Sequence, residues 1–349
     1  MNFNNWYKII STIFLHNFNV DALPFKYFLV VTKSCGSRCT NCLIWQEKVE
    51  SELTVEEFRR LAVNSKDNLV WLNLSGGEPT DRNDLIDIIQ VFQDNCPHLK
   101  IINFTTNALN YESLKSVTEY LANSKDLIIG INVSIDGPPA IHDRIRGTKD
   151  GFNKAIAALK MLRSFPHIQS SAALTIFPTN QDHIEETLLA IQNEIPDFTL
   201  KDFHINFPHT SDHYYGNNKI NYTSRIQLEK VKPFFKIQSQ NLSSFDYVEV
   251  IYQNLLEKYL QEKKTPLICA AIKSNIYISE KGEVFPCTIW DKSLGSLRES
   301  SFDLQKILKK ETSIETRYLI IEKKCPNCWT PCEAFPTILT NLKETLVKI

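Results

Sequence analysis

Cys35-Gly-Ser-Arg-Cys39-Thr-Asn-Cys42 places three thiols within eight residues. The run follows directly on the apolar stretch Phe28-Leu-Val-Val31, so a strand ends in a loop of cysteines. Thiolates are the usual ligands of iron–sulfur clusters. Three of them on a four-iron cube leave one iron without a protein ligand, and an open metal position is where chemistry takes place. Taken alone, the same spacing also fits an incomplete zinc site or three inert core thiols.

From Lys26 onward, short apolar runs alternate with amphipathic segments. Strands are predicted over Lys26–Lys33, Leu69–Ser75, Lys100–Thr106, Leu127–Ile135, Gln169–Phe177 and Thr199–Asn206. Between them, Thr54-Val-Glu-Glu57 reads as a capping box opening a helix. Asn83 reads as the cap of a second, and further helices follow at Tyr111–Leu121, Gly151–Arg163 and His183–Ile191. Six βα units in series imply a parallel sheet with right-handed crossovers, and they are too few to close an eight-stranded barrel. After Phe207 the rhythm breaks. A polar, aromatic loop carries His209, His213, Tyr214 and Tyr215, and two helical stretches follow, the first interrupted by Pro233. With His204, these residues are candidates for a substrate pocket, although each taken singly also fits an incidental surface position. Asn275–Ser279 and Glu283–Pro286 read as a hairpin turned at Glu280-Lys-Gly282, and 334–349 as a short helix.

Three further motifs fall at strand ends. The second strand runs into Ser75-Gly-Gly-Glu-Pro79, where glycines admit close backbone approach to a ligand and a carboxylate can receive an ammonium. The third ends Thr105-Thr-Asn107. The fourth ends Ser134-Ile-Asp-Gly-Pro138, followed by His142-Asp-Arg-Ile-Arg146-Gly147. Together with Cys-x3-Cys-x2-Cys, this order resembles the signature of the radical S-adenosylmethionine (SAM) enzymes. One departure is Asn41, where the family usually has an aromatic residue; an aromatic appears at Trp45.

The resemblance implies an α/β fold, a partial (β/α)6 radical SAM barrel with a small C-terminal twitch/SPASM-like cluster domain. It implies chemistry at the C-terminal ends of the strands. Carried over residue by residue, Cys35, Cys39 and Cys42 would hold a [4Fe–4S] cluster whose open iron chelates SAM, and reductive cleavage would give a 5′-deoxyadenosyl radical. Gly76, Gly77 and Glu78 would hold the SAM amino group, and Thr106 and Asn107 would line the same pocket. Ser134 and Asp136 would reach the ribose or its neighbourhood. Arg146 would pair with the SAM carboxylate, a bidentate task suited to guanidinium.

The C-terminal cysteines read Cys269-x17-Cys287-x37-Cys325-x2-Cys328-x3-Cys332. Gly282-x4-Cys287 resembles SPASM and twitch domains, the twitch form holding one auxiliary [4Fe–4S] cluster. Cys269, Cys287, Cys325 and Cys328 are its expected ligands, with Cys332 as alternative; a zinc ribbon is the competing structural reading. Cys96 reads as an ordinary buried thiol. The resulting division is an amphipathic segment at 1–23, the barrel at 24–206, a helical linker and pocket segment at 207–264, and the cluster domain at 265–349.

Composition narrows the function. Lys+Arg number 39 against 40 Asp+Glu, with no basic block, which argues against a nucleic-acid substrate. Nine cysteines at tight local spacings suit metal ligation in a reducing cytoplasm better than a disulfide framework. No apolar run approaches the roughly 20 residues of a membrane span. The aromatic N-terminal segment (Trp6, Ile9, Ile10, Ile13, Phe14) fits a helix packed on the barrel or a helix resting peripherally on a membrane. The expected activity is that of a radical SAM oxidoreductase supplied by an external one-electron reductant such as flavodoxin or ferredoxin. The radical would take a hydrogen atom from the substrate, a base a proton, and the auxiliary cluster an electron. Only 34 residues precede Cys35, which leaves no room for the leader-binding domain of many peptide-modifying relatives. The expected substrate is therefore a small molecule, sugar or lipid-linked compound. The alternative is a ribosomal peptide with a leader-binding partner in trans, and from another class a non-catalytic iron–sulfur electron-transfer protein.

Overall fold

The computed structural model describes residues 23–217, 225–241 and 247–341, with Ser11, Ile13 and Glu344. Most of the N-terminal amphipathic segment lies outside the described residues. Of it, Ile13 is buried in a small cluster with Phe25 and Val70. Among the described residues no helix is long and apolar enough to cross a membrane.

Six parallel strands carry the fold: β1 (Lys26–Thr32), β2 (Trp71–Gly76), β3 (Ile101–Thr106), β4 (Ile128–Ser134), β5 (Ile168–Thr175) and β6 (Phe203–Asn206). They lie side by side in chain order, so each crossover returns to the next position. Every residue of β1 is buried, as expected of a parallel strand covered on both faces. The helices between strands are α1 (Val55–Ser65), α2 (Leu85–Asn95), α3 (Tyr111–Ala122), α4 (Pro139–Arg146), α5 (Gly151–Arg163) and α6 (Ile184–Gln192). The capping box at α1 is present in full, with Thr54 and Glu57 bonding each other's backbone N–H. The N-cap position of α2 falls on Asp84, not Asn83, and Asp84 instead takes an ion pair from Arg82 at 2.6 Å. Thr199–Asp202 is not strand: Leu200–Asp202 is a 3-10 turn in its own capping box, and pairing begins at Phe203.

The sheet does not close. β6 is one edge, and beyond β1 it continues into β7 (Asn275–Ile278), β8 (Glu283–Phe285) and β9 (Gly295–Ser296). β7 runs parallel to β1, and the predicted hairpin β7–β8 is antiparallel. The C-terminal segment thus extends the barrel sheet. Further helices are α7 (Leu228–Asn241), α8 (Tyr247–Glu262), α9 (Leu304–Leu308), α10 (Glu311–Ile321) and α11 (Pro331–Thr340). Phe335 of α11 packs against Trp71 of β2, His204 of β6 and Tyr252 of α8, with ring centroids 6.5, 6.2 and 5.6 Å away. Contacts that reach from β2 to β6 place α11 across the open interior of the partial barrel.

Candidate active site and auxiliary thiol site

One cavity opens at the C-terminal ends of the strands. Cys35, Cys39 and Cys42 line it, as do Gly76, Gly77, Glu78, Thr106, Asn107, Ser134 and Arg146. The cysteine loop is held from two sides. Arg38 and Thr40 donate their N–H groups to the carbonyls of Arg146 and Ile145, both at 2.9 Å. Leu43 donates to the Tyr215 carbonyl at 2.8 Å, and Asn217 Nδ2 to the Asn41 carbonyl at 2.6 Å. Desolvation pushes the Cys35 thiol up to about 11 and Cys42 up to about 12.

Gly76 and Gly77 are closed in by backbone. A Cβ on Gly76 would lie 2.2 Å from the Thr32 carbonyl oxygen, and one on Gly77 2.1 Å from that of Ser34. Their space is taken by the protein's own backbone, because Gly77 and Glu78 donate to the Thr32 and Ser34 carbonyls at 2.8 and 2.7 Å. These contacts fix the start of the cysteine loop on the end of β2. Gly77→Ala is expected to displace that loop, at about 3 kcal/mol by the cost of overpacking, and to lower iron content with a depressed Tm. Unchanged iron and Tm would contradict the geometry.

Glu78 is 1% exposed, and its carboxylate is occupied by the protein itself. It accepts from Asn107 N at 2.6 Å and from Thr80 N and Oγ1 at 3.2 and 2.7 Å. Burial outweighs these bonds and raises its pKa. Its side chain therefore ties the end of β2 to the end of β3. Asn107 Nδ2 in turn donates to Cys35 Sγ at 3.6 Å.

Asp136 does not line the cavity. It is 1% exposed, accepts from Arg146 Nε at 2.6 Å with one oxygen and from Thr175 N at 2.9 Å with the other. Its carboxylate thereby joins Arg146 to the end of β5. Arg146 also directs Nη1 to Cys39 Sγ at 3.9 Å. Burial disfavours its cation, but Asp136 and Cys39 together hold it above the usual guanidinium range. Sequence reasoning missed α4, which carries Arg146, although Pro139 at its start and the left-handed Gly147 at its end are its signals.

The same cavity is lined by His204, His209, Tyr214 and Tyr215. Tyr214 and Ser75 share a 2.6 Å hydroxyl bond. His204 Nδ1 lies 3.6 Å from a Glu249 carboxylate oxygen, a partner to which no motif points. Burial pushes His209 down to about 4, so it is neutral. Its Nε2 and Trp45 Nε1 are buried with no hydrogen-bond partner among the described residues. His213 is the exception. It points away, bonding Asp291 through Nδ1 at 2.5 Å and the Cys287 carbonyl through Nε2 at 3.1 Å, and it stacks on Phe285. It joins the pocket loop to the C-terminal hairpin and does not line the cavity that holds the cysteine loop; it borders a separate, shallower pocket with Glu47, Phe285 and Asp291.

In the C-terminal part, Cys269, Cys287, Cys325 and Cys328 all pack in or against the main hydrophobic core. Cys332 stands apart, packed against the Phe28, Val30 and Tyr277 cluster and acted on by Glu333 and Lys26. Among the described residues no three His, Cys, Asp or Glu side chains converge on the position of a single metal ion. Cys96 is buried, its Sγ on the Ala62 carbonyl, as expected.

The radical SAM superfamily profile matches residues 29–191, and an iron–sulfur cluster-binding domain, SPASM, matches 269–329. The chain belongs to the radical SAM superfamily. Its similarity to curated proteins of Bacillus subtilis (strain 168) is moderate. The antilisterial bacteriocin subtilosin biosynthesis protein AlbA is 24% identical over 302 residues, 84% of this chain and 61% of that protein. The sporulation killing factor maturation protein SkfB is 25% identical over 172 residues, 48% of this chain and 39% of that protein. The chain thus spans less than two thirds of either relative. Among solved structures, native anSMEcpe with bound AdoMet and Cp18Cys peptide shares the fold at a TM-score of 0.61 and 14% identity, covering 92% of this chain and 98% of that one.

As a radical SAM enzyme the chain takes SAM and a [4Fe–4S] cluster as cofactors, and its SPASM domain takes auxiliary iron–sulfur chemistry. The residues fit these groups. The cavity brings desolvated thiols, a guanidinium and two orphaned ring nitrogens together, and Cys269, Cys287, Cys325 and Cys328 offer four free sulfurs.

Proposed function

We propose that this chain is a radical SAM enzyme that modifies a peptide. This replaces the expectation of a small-molecule substrate. The curated relatives are named for bacteriocin biosynthesis and killing-factor maturation, and the solved structure that shares the fold has AdoMet and a peptide bound. The observation that carries the reading is a single cavity lined both by the SAM-type motifs and by His204, His209, Tyr214 and Tyr215.

In this reading Cys35, Cys39 and Cys42 hold the first cluster, and Cys269, Cys287, Cys325 and Cys328 the auxiliary one, with Cys332 left over. Bound there, SAM and its cluster supply a 5′-deoxyadenosyl radical. Arg146 is aimed by Asp136 at the position of the SAM carboxylate, while Glu78 and Asn107 keep the cysteine loop and the ends of β2 and β3 in register. Ser134 and Thr106 line the SAM side. In the same cavity, His209 offers an unpaired Nε2 to a substrate polar group, and Tyr214, tied to Ser75, bounds the space. Flavodoxin or ferredoxin is the proposed class of reductant.

The test follows a label. Anaerobically reconstituted protein is incubated with SAM, reductant and perdeuterated candidate peptides, precursors of bacteriocin type among them. Deuterium is expected in 5′-deoxyadenosine with a matching mass loss or cross-link in the peptide. Deuterium transfer from a labelled small-molecule pool, with none from peptides, would overturn the peptide reading. Failure to cleave SAM at all would overturn the SAM-site assignments.

A further inference from the structure

Glu333 is a buried carboxylate that no sequence motif singled out. It stands in the first turn of α11 and is 3% exposed. Its oxygens accept from Thr288 N at 3.0 Å, from Thr288 Oγ1 at 3.2 and 3.1 Å, and from Thr330 Oγ1. Thr288 N can only donate, and the carboxylate stands at the N-terminus of a ten-residue helix, where negative charge is favoured. Its position is as telling as its partners. Thr288 directly follows Cys287, and Thr330 lies midway between Cys328 and Cys332. Through these two threonines Glu333 is bonded into both of the segments that carry Cys287 and Cys328.

We propose that Glu333 is a fixed negative charge that lowers the reduction potential of the auxiliary cluster, a reading that rests on Cys269, Cys287, Cys325 and Cys328 being its ligands. Adding an electron beside a buried anion is opposed by Coulomb repulsion that water does not screen. Net charge and hydrogen bonding near the sulfurs are the levers by which proteins set such potentials. Two cations act in the other sense. Arg317 Nη1 donates to the carbonyls of Cys269 and Ala271 at 2.5 and 3.1 Å, and Lys26 Nζ to that of Cys332 at 2.7 Å. Both spend their donors on backbone oxygens of the cysteine segments, whereas the Glu333 charge lies between the two segments that carry Cys287 and Cys328. The competing role is a mechanical one, a staple joining those segments.

Potential and iron content separate the two roles. Full-length wild type, Glu333→Gln and Glu333→Asp are reconstituted anaerobically, their iron is counted, and the cluster signal that SAM does not perturb is titrated by electron paramagnetic resonance. At a poise near the wild-type midpoint, Glu333→Gln is expected to raise the reduced-to-oxidised ratio about tenfold, ~59 mV for one electron, with iron unchanged. Glu333→Asp, which keeps the charge, is expected to stay within about twofold of wild type by the same relation. An unmoved midpoint in Glu333→Gln, or loss of the auxiliary irons in that variant, overturns the proposal, the second outcome making Glu333 a staple. Wild type without auxiliary irons would show instead that the ligand reading has failed, and the proposal falls with it.

Discussion

Cys39→Ala protein, reconstituted anaerobically, is expected to hold about four irons where wild type holds about eight. It should form 5′-deoxyadenosine at least ~100-fold more slowly, about 2.7 kcal/mol in the barrier. The size of the effect follows from how little slack the loop has. Cys39 is 9% exposed, and its two chain neighbours are both hydrogen-bonded to the end of α4. No other cysteine can swing into its place, because the nearest remaining thiols, Cys35 and Cys42, already line the same cavity. The contrasting variant is Cys325→Ala with Cys328→Ala. It should also lose about four irons, yet leave SAM cleavage measurable, since neither residue borders the SAM-side cavity. Equal loss of cleavage in both variants would mean that the two thiol groups are not separate centres. Full iron in Cys39→Ala would remove Cys39 from the ligand set.

The second large effect belongs to Asp136→Ala. Removing one partner of a buried ion pair leaves the other uncompensated, and here the residue left is Arg146, whose side chain is 17% exposed. The expected cost is about 3 kcal/mol, the lower end for breaking such a pair because the guanidinium keeps some solvent. Thr175 N loses its acceptor as well, so the ends of β4 and β5 loosen together. Denaturant unfolding measures the stability, and calorimetry with SAM measures whether Arg146 is still aimed. Adding Arg146→Met to Asp136→Ala should recover much of the stability but none of the SAM binding. If the double variant is no more stable than the single one, the unpaired cation is not the source of the loss.

These positions also mark where the sequence was legible. The βα alternation, the Thr54 capping box and the hairpin at Gly282 are local patterns, and each appears as read. Cys35, Cys39, Cys42, Gly76, Gly77, Glu78, Thr106, Asn107, Ser134 and Arg146 meet in one cavity because strand ends in a parallel sheet converge on one edge. What failed was pairing over distance. Asp136 sits at a strand end like its neighbours in the motif, and nothing in the spacing says that it turns to an arginine ten residues on. His213 meets Asp291 across 78 residues, and His204 meets Glu249 through a helix in the least patterned part of the chain. Thr199–Asn206 misled for a local reason. Its β-branched and apolar residues look like strand, while the Thr199–Asp202 box that tightens its first half into a turn was the signal to heed.

The pairing of β7 with β1 has a consequence for how the protein comes into being. Four registered residue pairs, Lys26 with Asn275 through Leu29 with Ile278, complete one side of the strand that leads into the cysteine loop. On the ribosome that side of β1 stays bare until residues 275–278 have emerged. An uncovered apolar strand edge is a template for wrong pairing, and non-local parallel pairing is slow to form. β1 is therefore completed only about 250 residues after it is made, and a nascent chain cut short before residue 275 would present the base of the cysteine loop on an edge that β7 does not cover.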